Sequence, residues 1–512
     1  MTAKTIRAVI DRHAAGHGDD IFLVDPEYNR TLTFSQLKAG TEAIRTCLDR
    51  LGVARGAKVA FLLDNGYWTA QLFLGVMAAG RVIVPLNAVS GTQQLVHVLG
   101  HSDAELVFVS AAYKERLTEL RAAVDRDIRV VELDEDKGPA WPADGNGTLP
   151  APTSGPDEKD PALLLYTSGS TGLPKGAIMN QRAIVTGGEN VELGHELGPG
   201  DRVLCVLPIY HINGAMVTVV APLVSGGSVV MPSRFRASRF WDLVATHGCT
   251  WSSVVPTIIK YLLDRVAEEP FDFGADPRLA PFRFGRSASA PLPVVVLRQW
   301  EETFGVPMIE TIGLTETSGT VATNPMPPRA RKPGSVGFPC GNEIRVVDEA
   351  GNECAPLVPG ELVVRGENVL DCYYKNPEAT EGAFFGEWFR TGDLGKKDGE
   401  GYLYITGRLK ELIIRGGENI APREIDDVLY RHEAILEAAA VGVDDENYGQ
   451  EVVACVVVRD GHQATEEELK AFCQQAVGGV KCPKTIYFMD DLPKGPSGKI
   501  QRLRLPDMIR DL

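Results

Sequence analysis

The chain has 512 residues, too many for one hydrophobic core, so at least two packing units are expected. Its 44% hydrophobic and 23% charged content is that of an ordinary globular protein, and 52 Lys plus Arg against 68 Asp plus Glu leave a net charge of -16, which argues against a broad nucleic-acid or anionic-membrane surface. Nine scattered cysteines without a CxxC pair, and an N-terminus lacking a signal-peptide core, predict a cytoplasmic chain with no zinc site.

In chain order, residues 1 to about 135 alternate helix-like and strand-like segments. Phe34 to Leu51 reads as an amphipathic helix, Lys58 to Leu63 as a strand, Thr69 to Ala79 as a helix, and Val82 to Leu86 and Leu106 to Ser110 as buried strands. This is the alternation of an α/β domain with a largely parallel sheet. Asp134 to Asp160 is loaded with Pro, Gly and charge and is expected to be a surface connection. Leu163 to Tyr166 is a short apolar strand, after which Arg202 to Pro208, Ser228 to Pro232, Arg239 to His247 and Trp251 to Leu263 predict a second subdomain of the same class. The apolar stretch around Gly214 to Val224 is much shorter than the ~20 residues of a membrane-spanning helix, so no membrane span is expected. From Gly334 the Gly-punctuated runs EIRVVDEAG and GELVVRGENV predict hairpins of a small β-rich unit. From about 410 to 512, strand-like Ala438 to Val443 and Val452 to Val458 with helix-like Thr465 to Gln475 suggest a separate small α+β domain.

The strand at Leu163 runs into TSGSTGLPKG, where Ser, Thr, Gly and Lys fill almost every position. Gly169, Gly172 and Gly176 let backbone amides turn toward a ligand, the hydroxyls of Thr167, Ser168, Ser170 and Thr171 add donors, and Lys175 adds a point charge, which together suit a polyanion. A Walker loop needs Gly before its Lys and Ser or Thr after it; Pro174 and Gly176 stand there instead. The run resembles the phosphate loop of the adenylate-forming (AMP-binding) superfamily, which includes acyl-CoA ligases, luciferases and nonribosomal adenylation domains.

Later motifs occur in that family's order over nearly the whole chain. IGLTETSG, with Thr311 before it, resembles the adenine and magnesium motif, which implies nucleotide contacts at Thr311, Ile312, Gly313, Leu314 and Thr315 and a metal-binding carboxylate at Glu316. Mg²⁺ is hard and prefers such oxygen ligands. Most relatives have an aromatic where Ile312 stands, so a flat apolar contact is kept and stacking is lost. RSASAPL resembles the loop whose backbone lines the adenine at Ser289, Ala290 and Pro291. In EWFRTGDLG, Asp393 matches the carboxylate that takes both ribose hydroxyls; in GRLKEL, Arg408 matches a ribose and phosphate contact and Lys410 the interdomain hinge. Gly416 and Gly417 match glycines that keep a pantetheine channel open, and a plain hairpin turn is the other reading. His211 in PIYHINGA matches a residue beside the acyl carboxylate, and Lys499 in PKGPSGKIQR matches the catalytic lysine.

The resemblance implies a large multi-subdomain N-terminal α/β domain, about 1 to 409, with a small β-rich unit, plus a small mobile C-terminal α+β domain, 410 to 512. It implies an AMP-forming acyl-CoA ligase that uses ATP and Mg²⁺ to turn a small-molecule carboxylic acid into an acyl-adenylate and then passes the acyl group to coenzyme A. A place in fatty acid metabolism and a homodimeric state are further expectations. An adenylation enzyme loading a carrier protein, and an ATP-sensing regulatory protein without turnover, remain as alternatives.

Overall fold

The computed structural model describes residues 3–141, 155–167, 173–495 and 499–510. Two large sheets carry the first four-fifths of the chain. One is eight-stranded, in the order Cys372–Tyr373, Lys175–Asn180, Pro161–Thr167, Val82–Pro85, Lys58–Leu62, Ala104–Ser110, Arg129–Asp134, Gly138–Pro139. Its central strands are parallel and apolar on both faces, because helices cover both sides. The helix Phe34–Arg50 begins with a reciprocal cap: Thr33 Oγ1 accepts from the Gln36 amide while Gln36 Oε1 accepts from the Thr33 amide. The helix Tyr67–Ala78 is buried nearly all round, as its uninterrupted apolar sequence requires.

The second sheet is nine-stranded, in the order Phe338–Pro339, Gly319–Thr323, Met308–Leu314, Phe284–Ser287, Trp251–Val254, Arg202–Leu204, Ser228–Val230, Ile21–Asp25, Arg30–Thr33. Its last two strands correct the expectation that residues 1 to about 135 form one unit. The N-terminal hairpin leaves the first sheet and pairs in parallel with the second, Leu23 opposite Val229 and Val24 opposite Val230, which covers an edge that would otherwise be open. The expected surface connection is also partly corrected. Gly138–Pro139 extends the first sheet antiparallel to Arg129–Asp134, and the Trp141 ring meets Phe108 edge-on at 5.5 Å.

The β-rich unit is a five-stranded antiparallel sheet, Glu343–Val347, Gly360–Arg365, Trp388–Lys397 and Phe384–Phe385, with Leu403–Arg408 on the other side of Trp388–Lys397. Beyond it, Ile413–Arg415, Glu418–Ile420, Ile435–Asp445, Gly449–Val458 and Thr485–Phe488 form a separate sheet covered by the helices Pro422–Leu429 and Glu466–Lys481. Ile413, Ile425, Leu429, Ala454 and Leu469 close a core of its own. The architecture is therefore α/β, a large N-terminal domain followed by a small C-terminal one. Among the described residues no helix is long and apolar enough to cross a membrane.

Candidate active site

The polar loop after Thr167 connects two antiparallel strands of the first sheet, with Thr167 opposite Lys175. Ser168, Gly169, Ser170, Thr171 and Gly172 lie outside the described residues. Lys175 emerges at the base of the loop with its ammonium 5.4 Å from the centre of the Tyr373 ring. Tyr373, held on the neighbouring strand opposite Ala177, donates its hydroxyl to Glu316 Oε1 at 2.9 Å. Burial, then the Glu316 carboxylate, raises the Tyr373 phenol far above its ordinary value, so it remains a donor. Lys175, Tyr373 and Glu316 thus link the end of the loop to the carboxylate.

Glu316 sits on a 3₁₀ turn, Thr315–Thr317, between the strands Met308–Leu314 and Gly319–Thr323. The turn is tight because a Cβ at Gly313 would lie 2.1 Å from the Gly319 carbonyl oxygen, a separation only glycine permits. Thr317 Oγ1 accepts from the Leu314 amide at 3.1 Å, the Thr315 carbonyl accepts from Ser318, and the Glu316 carbonyl accepts from the Leu370 amide at 2.7 Å. Thr311 donates to the Ser287 carbonyl at 3.4 Å, and Ile312 packs half-buried against the core that contains Val321 and Ala322. Burial raises the Glu316 carboxyl, with the Tyr373 hydroxyl and Arg408 pulling the other way.

Asp393 and Arg408 face each other across antiparallel strands, joined by an Nε to Oδ1 contact of 2.8 Å. Asp393 is buried, which raises its carboxyl, while Arg408 and Lys499 oppose that rise. Lys499 comes from the other domain, and burial, reinforced by Arg408, lowers its ammonium while Glu411 and Asp393 act against that. Lys410 lies exposed on the turn Leu409–Glu411, between the strands Leu403–Arg408 and Ile413–Arg415. Glu316, Asp393, Arg408 and Lys499 are consequently brought into one electrostatic cluster from four separate stretches of sequence.

On the other side, the helix that begins at Asn213 follows His211. The His211 ring is half-buried beside Tyr210, 5.1 Å between centroids, and its Nε2 has no hydrogen-bond partner. Burial pushes its imidazole down to about 4. Since the folded value lies below the free one of about 6.5, the unfolded chain takes up this proton first, and stability falls as pH drops from about 6.5 to about 4. His211→Gln should remove up to about 3 kcal/mol of that acid-side loss, read from urea unfolding at pH 7 and pH 4.5. An identical pH dependence in both proteins would show that His211 is solvated.

Ser289, Ala290 and Pro291 form the exit from the strand Phe284–Ser287, with Ser289 in the left-handed region at φ 72 and its hydroxyl accepting from Asn213 Nδ2 at 3.2 Å. Two neighbours escaped the sequence reading. Tyr373 gave no signal, because nothing in CYYK distinguishes a carboxylate partner from a packed ring. Arg286 shares the run FRFGRS with Arg283, which is exposed, and nothing local tells the two apart; Arg286 is fully buried, and burial brings its guanidinium down to about 9.

Gly416 and Gly417 are the two central residues of a hairpin, Arg415 opposite Glu418, with φ of 59 and 84. Two positive φ values in a two-residue loop make a type I′ turn, which by itself calls for glycine. A Cβ at Gly417 would meet nothing within 4 Å, and one at Gly416 would touch Tyr448 at 3.4 Å.

Residues 10–374 match the family model described as "AMP-binding enzyme", and residues 424–499 match its C-terminal domain. The chain belongs to the AMP-binding enzyme family. This AMP-binding enzyme is 48% identical over 506 residues to the sulfoacetate–CoA ligase of Cupriavidus necator, covering 98% of this chain and 97% of that protein. It is 37% identical to the oxalate–CoA ligase of Arabidopsis thaliana over 462 residues, 88% of each chain. The structure of ATP-bound MatB from Rhodopseudomonas palustris superposes with a TM-score of 0.89 at 27% identity, covering 99% of both chains. The chain stands in the acyl-CoA ligase branch of the family and is an acid–thiol ligase.

Among the described residues of this AMP-binding enzyme, no group of three or more His, Cys, Asp or Glu could hold a metal alone. Glu316 offers a carboxylate with one tyrosine hydroxyl bound to it, which fits Mg²⁺ arriving with phosphate oxygens and needing only one or two protein carboxylates.

Proposed function

We propose that this enzyme activates a short carboxylic acid bearing a second anionic group, of the sulfoacetate or oxalate kind, as its adenylate and transfers the acyl group to coenzyme A. The observation that carries the reaction is Lys499 of the C-terminal domain lying within electrostatic reach of Asp393 and Arg408 of the N-terminal one. The substrate class rests on the relatives matched over most of the chain, and it turns the reading from fatty acids to short polar acids.

In this reading ATP lies with its phosphates over the loop from Thr167 to Lys175 and its ribose diol on the two oxygens of Asp393. Arg408 holds Asp393 in place and faces the phosphates. Mg²⁺, bound at Glu316, would neutralise phosphate charge. Lys499 stabilises the negative charge that gathers as the acid's oxygen attacks the α-phosphate, a task for a preorganised charge in a water-poor cleft. His211, neutral at physiological pH, borders the acyl group without adding charge. For the thiol step, rotation of residues 410–512 about Lys410 withdraws Lys499 and brings up the Gly416 turn. A cytoplasmic site of action suits the nine free thiols.

The test is AMP formation with ATP and coenzyme A across sulfoacetate, oxalate, malonate, acetate and decanoate. The short dianions should be fastest, and turnover should require coenzyme A. Fastest turnover of decanoate would restore the fatty-acid reading, acid-dependent pyrophosphate release without coenzyme A use would point to a carrier loader, and no acid dependence would leave an ATP sensor.

A further inference from the structure

Arg286 is a charge without a counterion. It stands on the strand Phe284–Ser287, 2% exposed, and no carboxylate of the described residues lies within ion-pair distance of it. Its guanidinium bonds are all to neutral oxygens: Nη1 to Asn213 Oδ1 at 3.0 Å and Ser253 Oγ at 2.8 Å, and Nη2 to Thr320 Oγ1 at 2.8 Å; its Nε has no partner. A buried cation normally brings a carboxylate with it, because three neutral acceptors do not replace the hydration it loses.

The bonds around it have a direction. A guanidinium only donates, so Asn213 must turn Oδ1 toward it, and Ser253 donates to the same oxygen at 2.8 Å. The amide nitrogen is thereby forced outward, where Nδ2 donates to Ser289 Oγ. Ser289 is exposed, and having accepted on its oxygen from Asn213 it has its own proton free to point away from that bond. From Arg286 through Asn213, two residues along the chain from His211, to Ser289, each bond presents a donor outward, ending on the loop matched to the nucleotide.

We propose that Arg286 is the specificity-determining charge of the acid pocket, acting through Asn213 and Ser289 to favour acids that carry a second anionic group over singly charged ones of the same size. This rests on the substrate class proposed above and adds its physical source. Arg286 is a positioning residue: the anion it favours answers its missing ion pair through the Asn213 amide and the Ser289 hydroxyl, and screening is weak only over the buried part of that path, Arg286 to Asn213.

The test compares kcat/KM for sulfoacetate with that for methylsulfonylacetate, in which a neutral sulfone replaces the sulfonate at nearly the same size. The wild-type enzyme should prefer sulfoacetate. Arg286→Met should lower that preference about tenfold or more, mainly through the KM of sulfoacetate, because the remote anion is bound alike before and during reaction. Arg286→Lys should recover part of it, and ATP binding, measured separately by calorimetry, checks that each variant is folded. Should Arg286→Met fail that check, Ser289→Ala carries the comparison: removing the outermost donor should lower the preference several-fold. A wild-type preference that survives Arg286→Met, or survives Ser289→Ala when the first variant does not fold, overturns the role of Arg286 alone. A wild-type enzyme without the preference overturns the substrate class, and this inference with it.

Discussion

Lys499→Ala is expected to slow pyrophosphate release from acid and ATP by about 100- to 1,000-fold, a loss of ~3 to 4 kcal/mol, while leaving conversion of a supplied acyl-adenylate and coenzyme A to thioester largely intact. The first half follows from position. Lys499 lies in a cluster that already holds Arg408, and burial together with Arg408 works against its charge. Triphosphate and the developing charge on the acid would restore what that setting takes away. The second half follows from chemistry, since an adenylate is already activated and needs no cation at the α-phosphate. Pyrophosphate release for one half and AMP release for the other, on one preparation, separate the two. Equal loss in both would mean that Lys499 holds the domains together rather than serving the adenylation step.

Arg502→Met should destabilise the C-terminal domain by about 3 to 5 kcal/mol, the cost of leaving a buried carboxylate without its partner. Arg502 Nη2 meets Asp426 Oδ2 at 2.5 Å, Asp426 Oδ1 accepts from the Ala440 amide at 2.6 Å, and Arg502 also donates to the Ala440 carbonyl. Its Nε lies 3.4 Å from Glu411, beside the junction of the domains. The pair therefore anchors the segment that carries Lys499 to both the helix Pro422–Leu429 and the interdomain turn. Urea unfolding followed through Tyr487 and Tyr430 fluorescence should show an early transition in the variant. Asp426→Leu added to Arg502→Met should recover much of the loss, because the stranded charge is gone. A loss below about 1 kcal/mol in the single variant would mean that water reaches Asp426.

The repeating architecture was legible because apolar runs such as Val82 to Leu86 and Leu106 to Ser110 are long enough to carry a period, and the domain cores follow from them. Family membership was legible because the motifs occur in one order along the chain, and residues 10–374 and 424–499 match the models of that family. Lost from view was everything that depends on partners distant in sequence. Tyr373 and Glu316 are 57 residues apart, and no local pattern signals a hydroxyl that will meet a carboxylate. The hairpin Ile21–Asp25 with Arg30–Thr33 is too short for its periodicity to name its sheet, and its neighbour Ser228–Val230 has only three residues. Gly416 and Gly417 show the converse difficulty: one local pattern serves both a turn and a channel, and positive φ at both means that any bulky substitution there strains the hairpin as well as filling space.

The N-terminal hairpin also governs how this chain can be made. Leu23 finds its partner Val229 only after some two hundred further residues have left the ribosome, so the first segment to emerge must wait for its neighbour while the strands between them assemble the other sheet. The two α/β sheets are thus interlocked rather than strung in series. Cutting the gene between them would yield one fragment with an orphaned hairpin and another with a bare sheet edge, ready to pair with whatever strand it meets first. A cut that leaves every sheet whole falls instead between the strands Leu403–Arg408 and Ile413–Arg415, which belong to different sheets.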